Sequence, residues 1–260
     1  MKTIKKLMLA AVVAMVGLCG TAWAEVMSAG DYQFDTETWT ITGYTGMGGD
    51  IVIPESFPAS WGSLPVKAIG DNAFCGNEKL TSVTIPMSVT NIGQQAFYQC
   101  KALTSVTFPE HSQLVSIGLS AFKETGLTSV TFPSNLKTIG DSAFEACSGL
   151  ADVAIPEGGS LECIGNCAFQ GTSLTGVILS FNVTNIGDRA FCDCSQLASV
   201  YLPYCLENIG DCAFSGCTAL GTLEIPRDVS KIGVRAFEGC SSLKSVIIPD
   251  SKKYIVLCVI

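Results

Sequence analysis

Eight times between residues 69 and 237 the chain repeats the block Ile-Gly-x-x-Ala-Phe, and no other feature limits its fold as strongly. The blocks begin at Ile69, Ile92, Ile117, Ile139, Ile164, Ile186, Ile209 and Ile232, at steps of 23, 25, 22, 25, 22, 23 and 23 residues. Between blocks runs a strand-like segment such as Leu80-Thr-Ser-Val83-Thr-Ile85-Pro86, so the full unit reads IGxxAFxxCxxLxxVxIPxxVxx. A unit this short cannot hide its own apolar side chains from water. Stacked on its neighbours it can, so the repeat predicts a solenoid in which the eight Phe residues form one inner column.

Each position in the unit has a physical reading. In an extended segment alternate residues face opposite ways, so Val83 and Ile85 point inward while Ser82 and Thr84 point outward. Pro86 lacks an N–H for the ladder and ends the strand. The glycines of the block (Gly70, Gly93, Gly140) suit either a positive φ or a close backbone approach. The residue after each runs Asp71, Gln94, Leu119, Asp141, Asn166, Asp188, Asp211, Val234, which predicts an N-cap for a short helical turn where it is Asp or Asn. Three residues after the Phe stand Cys100, Cys147, Cys194, Cys217 and Cys240, with Thr125, Thr172 and Asn77 in other copies. Small side chains with a hydrogen to donate fit a buried ladder that satisfies backbone carbonyls. In an exported chain a disulfide between neighbouring coils, Cys194 with Cys217 or Cys217 with Cys240, is the competing reading, and parallel side chains make a poor approach angle for it.

The blocks IGDNAF, IGDSAF and IGDCAF, each followed by Cys or Thr, Leu and an Ile-Pro strand, resemble the BspA-like leucine-rich repeats of exported bacterial proteins. The likeness spans residues 69 to 249, and the lead-in through Trp39, Gly43, Tyr44, Ile53, Pro54 and Leu64-Pro65-Val66 resembles that family's N-terminal region. It implies a β-rich α/β solenoid: a right-handed leucine-rich repeat coil with a parallel sheet on one face and short helical turns on the other. It also implies an adhesin-like surface protein that docks a protein partner, such as a host matrix or host-cell component. Leu179-Ser180, where the pattern asks for a Pro, is a departure from it.

Export is also readable from the residues. Lys2, Lys5 and Lys6 precede an apolar run from Leu7 to Leu18 and a small-x-small site at Ala22-Trp23-Ala24, the order of a signal peptide over residues 1–24. The run is too short to predict a membrane span. Loss of three lysines with the leader takes the formal charge from −8 to −11. An acidic chain lacks the clustered basic face that phosphate recognition needs, so a nucleic-acid partner is not expected. Alternating apolar residues in 25–68 (Tyr32 and Phe34, Trp39 and Ile41, Ile51 and Ile53) predict a β cap over the first coil. Residues 69–249 form the eight-coil array, and 250–260 an apolar tail in which Tyr254 to Ile260 reads as a closing strand, an edge open to another chain, or an artefact of truncation.

No motif for catalysis emerges. There is one histidine, His111, and no GxSxG, HExxH or phosphate loop. Cys192-x-Cys194 and Cys163-x-x-x-Cys167 lack zinc-knuckle spacing, and Leu119 and Val234 interrupt the Asp column as a cation array. Neither metal nor cofactor is expected, and a hydrolase is the weakest reading. The informative surface is the outward strand residues. Before the Val they read Ser82, Ser105, Ser129, Asp152, Gly176, Ser199, Thr222, Ser245; after it, Thr84, Thr107, Thr131, Ala154, Ile178, Tyr201, Glu224, Ile247. Ile178, Tyr201, Glu224 and Ile247, with Ser199 and Thr222, are therefore the expected docking patch; strand propensity alone also favours Ile and Tyr there. A polysaccharide-binding module is the alternative, and Tyr201 is the one stacking ring it finds among these strand residues.

Overall fold

The computed structural model describes residues 26–59 and 62–247. The leader at 1–24 and the tail at 250–260 lie outside the described residues. Strands β1 (Val26–Ala29), β2 (Tyr32–Asp35) and β3 (Thr40–Tyr44) form an antiparallel meander, with a bulge between Gln33 and Phe34. β4 (Gly49–Val52) follows, then the hairpin β5 (Ser56–Ala59) and β6 (Gly62–Pro65).

From there each coil contributes two strands. The first is the residue before the block plus its Ile: β7 (Ala68–Ile69), β9 (Asn91–Ile92), β11 (Ser116–Ile117), β13 (Thr138–Ile139), β15 (Cys163–Ile164), β17 (Asn185–Ile186), β19 (Asn208–Ile209) and β21 (Lys231–Ile232). The second is the LxxVxI segment: β8 (Leu80–Thr84), β10 (Ser105–Thr107), β12 (Ser129–Thr131), β14 (Asp152–Ala154), β16 (Gly176–Ile178), β18 (Ser199–Tyr201), β20 (Thr222–Glu224) and β22 (Ser245–Ile247). The two-residue strands, absent from the sequence reading, join β1 to β3 in one sheet of eleven. The LxxVxI strands expected to carry the sheet pair in parallel but in shorter groups: β4 with β8 and β10, then β12 with β14, β16 with β18, and β20 with β22. Their inward and outward residues alternate as expected, with Val130 and Val200 buried between exposed neighbours.

The side expected to hold short helical turns is built from consecutive β-turns, and among the described residues there is no helix. In the first coil Ala73, Cys75 and Asn77 donate to carbonyls three residues back (Gly70, Asn72, Phe74), while Asn72, Phe74 and Gly76 donate to Gln94, Ala96 and Tyr98 of the next coil at 2.8 to 2.9 Å. Every second amide is thus spent on the neighbour. A helix would take those amides inward, and a run of six residues cannot offset the cost of nucleating one. The turns require a left-handed residue at the second x of each block, where Asn72, Gln95, Ser120, Ser142, Cys167, Arg189, Cys212 and Arg235 have φ between 54 and 58°.

The Asp expected to cap a helix instead accepts from the coil above it. Oδ1 of Asp71 takes the Gln94 amide at 2.7 Å and that of Asp141 the Asn166 amide at 2.7 Å. Asn166, Asp188 and Asp211 continue the series onto Asp188, Asp211 and Val234 at 2.8 Å. The preceding glycine serves close approach, not positive φ. A Cβ on Gly210 would lie 2.5 Å from the Asp188 nitrogen and one on Gly233 2.3 Å from that of Asp211.

The core is the column of eight phenylalanines. Phe74, Phe97, Phe122, Phe144, Phe169, Phe191, Phe214 and Phe237 stack with centroids 4.8 to 5.7 Å apart and planes within 12°. That spacing is the favourable range for offset rings, and each buried Phe contributes about 1.5–3 kcal/mol. At the N-terminal end Tyr44 extends the column, 5.1 Å from Phe74. β3 pairs with β7 and β4 with β8 in parallel, so Ile41 stands beneath Ile69 and Ile51 beside Val83. The lead-in thus supplies an incomplete coil on which the first full one rests.

Candidate functional site

The outward strand residues form one surface that changes character along the stack. At its N-terminal end Asp50 on β4 faces Ser82 on β8. Its carboxylate accepts from the hydroxyls of Thr81 and Ser82, both at 2.7 Å, and these bonds, that of Ser82 first, hold its pKa below the usual carboxylate value. Ser105, Thr107, Ser129 and Thr131 continue this hydroxyl-rich stretch on exposed positions.

Further along, the surface becomes apolar. Ile178 on β16 pairs with Tyr201 on β18, and Glu224 on β20 with Ile247 on β22. Ser199 and Thr222 occupy the outward positions beside them, both exposed. The structure therefore places all six expected residues on one face, as two paired sets on successive coils. Ile178, Tyr201 and Ile247 are 62%, 67% and 56% exposed. Strand neighbours lie about 4.8 Å apart, so the Ile178 and Tyr201 side chains are adjacent.

Two further rings extend this patch around the corner of the coil. Phe181 and Tyr204 are 56% and 76% exposed. Each opens the second position of a turn, closed by the Val183 amide on Ser180 and the Leu206 amide on Pro203 at 3.2 and 3.1 Å. Sequence reasoning passed over them because it followed strand positions only. The signal was available: at the residue after Pro the copies run Met87, Glu110, Ser134, Glu157, Phe181, Tyr204, Arg227, and two consecutive aromatic rings break a mostly polar column. Ser180, the departure from Pro, is buried and turns its hydroxyl onto the Leu161 carbonyl at 3.3 Å. Cys205, next to Tyr204, donates its thiol to the Phe181 carbonyl, tying the two turns together.

The cysteine ladder belongs to the core. Cys100, Cys147, Cys194, Cys217 and Cys240 donate to the carbonyls of Phe74, Phe122, Phe169, Phe191 and Phe214, each one coil back, at 3.0 to 3.1 Å. Cys194, Cys217 and Cys240 are free thiols, not the disulfides weighed from sequence. Thr125 and Thr172 fill the same slot and approach the sulfurs of Cys147 and Cys194 at 3.2 Å. Burial pushes the Cys100 and Cys194 thiols up, to about 12 and about 11, and raises Cys147 and Cys217 as well. Cys192 rises to about 12 through burial and the adjacent Asp193 carboxylate. Among the described residues no three His, Cys, Asp or Glu side chains converge as a metal-ligand set, and no helix is long and apolar enough to cross a membrane.

A parallel-coil solenoid with one continuous outward surface is the geometry of a leucine-rich repeat protein. The family model described as the BspA type leucine rich repeat region matches residues 67–198 and 162–257. The chain belongs to that family. It is similar to the T. pallidum leucine rich repeat protein TpLRR at 31% identity, over 87% of this chain and 92% of that one, with a TM-score of 0.60. The pneumococcal vaccine antigen PcpA shares the fold at 19% identity, over 88% of this chain and 82% of its own, with a TM-score of 0.50. A leucine rich cell surface protein of Faecalibacterium prausnitzii A2-165 aligns over 89% of this chain and 96% of its own at 22% identity and a TM-score of 0.47. No curated protein matches the chain significantly.

Proposed function

We propose that the chain is an exported or cell-surface, non-enzymatic binding protein that docks a protein partner on the face carrying Ile178, Tyr201, Glu224 and Ile247, flanked by Ser199 and Thr222. One observation carries this reading: Ile178 and Tyr201 are paired on adjacent strands, with most of their surface in water. Contiguous exposed apolar and aromatic groups with a polar margin are how protein interfaces are built, with Tyr among the residues that contribute most. Phe181 and Tyr204 add area with no backbone to order, because their turns are already closed by hydrogen bonds. Membership of the family and the leader-like residues 1–24 support a surface location, and a host matrix or host-cell protein is the partner class the adhesin-like resemblance favours.

The test compares wild type with the double variant Ile178→Ser, Tyr201→Ala on immobilised extracellular matrix proteins and on a glycan array. Retention of a matrix protein that falls at least about tenfold in the variant supports the reading, about 1.4 kcal/mol being one decade of affinity. Equal retention of both proteins sinks the patch. The exposed rings of Phe181, Tyr201 and Tyr204 favour a second reading, a polysaccharide surface, which the glycan arm would reveal as ring-dependent retention.

A further inference from the structure

On three successive coils the outward residue that ends the LxxVxI strand and the turn residue three places on form the pairs Ile178 and Phe181, Tyr201 and Tyr204, Glu224 and Arg227. Two apolar coils thus adjoin a charged one. Tyr201 ends β18 and Glu224 ends β20, each directly after a buried residue, Val200 or Leu223. Both side chains therefore leave the same face, one coil or roughly 5 Å apart, and both are exposed.

This neighbour constrains what can dock. Any partner that covers Tyr201 also takes water from Glu224, and a dehydrated carboxylate without a counter-charge is heavily penalised. The protein supplies none. Among the described residues the ion pairs are Lys123 with Glu145, Lys137 with Glu162 and Arg235 with Glu238, so Glu224 and Arg227 are paired neither with each other nor elsewhere. Asp50, at the other end of the same face, has the hydroxyls of Thr81 and Ser82 on its carboxylate at 2.7 Å, whereas Glu224 has no such donor. The sign of the face is uniform: from β4 to β20 its outward strand positions hold Asp50, Asp152 and Glu224, and neither lysine nor arginine.

We infer that the face receives an arginine of a protein partner, its guanidinium lying on the Tyr201 ring and donating to the Glu224 carboxylate, while apolar residues of the same segment cover Ile178 and Phe181. The inference rests on the docking reading above and adds the chemistry that the face selects. A planar guanidinium can stack on a ring and at the same time direct the N–H groups of its edge at a carboxylate; an ammonium is a compact, strongly hydrated point charge that does one or the other. Arginine and tyrosine are also the side chains that most often dominate protein interfaces. The formal charge of the chain, −8 with the leader and −11 without it, draws a basic partner from a distance.

The probes are three labelled peptides, Thr-Ile-Thr-Xaa-Thr-Ile-Thr with Arg, Gln or Glu at the centre, in which both isoleucines and the central residue share one side of an extended chain. Each is titrated with the full chain by fluorescence anisotropy. The Arg peptide is expected to bind on the order of tenfold tighter than the Glu peptide, with Gln between them. Glu224→Gln should level the three and Glu224→Lys should reverse their order. Asp152→Asn, three coils away, should leave the order as it is, which sets local pairing apart from the net charge of the chain. An Arg peptide that binds wild type no tighter than the Glu peptide overturns the proposal, absence of binding by both included, as does a preference that survives in both Glu224 variants. The double variant Ile178→Ser, Tyr201→Ala separates the two readings. If it weakens all three peptides and wild type shows no Arg preference, the face stands and the arginine falls; if it weakens none, the face falls as well.

Discussion

At the scale of single residues the ladder slot shows how one position can accept chemically different side chains. Cys and Thr alternate there because each brings a hydrogen for a carbonyl and little volume. Where Thr125 and Thr172 stand, the chain to the next Leu is one residue shorter than after Cys. Thiols held protonated by burial have a consequence for pH. Their folded pKa lies above the unfolded value of 9.0, so their contribution is complete below pH 9 and is lost as pH rises towards 11–12. The chain should therefore lose stability above pH 9, and Cys100→Thr with Cys194→Thr should move the alkaline midpoint, followed by circular dichroism, to higher pH. An unchanged midpoint would remove the thiols as its cause. Cys217→Ala should instead cost about 1 kcal/mol in denaturant titration, because the Phe191 carbonyl loses one of its two donors and keeps the Cys194 amide at 3.3 Å. At Gly187, where a Cβ would meet the Gly165 carbonyl carbon at 2.6 Å, Ala should cost at least about 2 kcal/mol.

At the scale of elements, strand alternation, the Pro stop and the inward Ala-Phe pair were legible because each follows from period, ring closure or apolarity within one coil. The two-residue strands were not. A pair such as Asn91-Ile92 has no periodicity of its own, and its strand character comes from the coil on either side. The β-turns were misread as helical for the same reason: the acceptors of Asn72, Phe74 and Gly76 lie on another coil, and a sequence window does not contain them. Strand positions of the candidate patch were found, whereas Phe181 and Tyr204 sit on turns whose exposure only coil geometry reveals. Removing one member of the Phe column should be costly wherever it falls in the middle. Phe144→Ala is expected to lose about 3–5 kcal/mol, its ring lying between Phe122 and Phe169 at 5.3 and 5.4 Å. Retention of wild-type stability in a urea melt would contradict the stacked core.

At the scale of the whole molecule, each coil touches only the ones before and after it, so stability accumulates along one axis and its ends decide how far fraying spreads. The coils that reach 25 residues carry their two extra residues between Pro109 and Ile117 and between Pro156 and Ile164, while the glycine corner holds its length in every copy. One edge of the solenoid is thus a hinge line for insertions, and the other forbids them. Phe181 and Tyr204 lie on the permissive edge, so the scaffold is suited to diversification: turns there can lengthen or exchange side chains while the stacked rings beneath stay as they are.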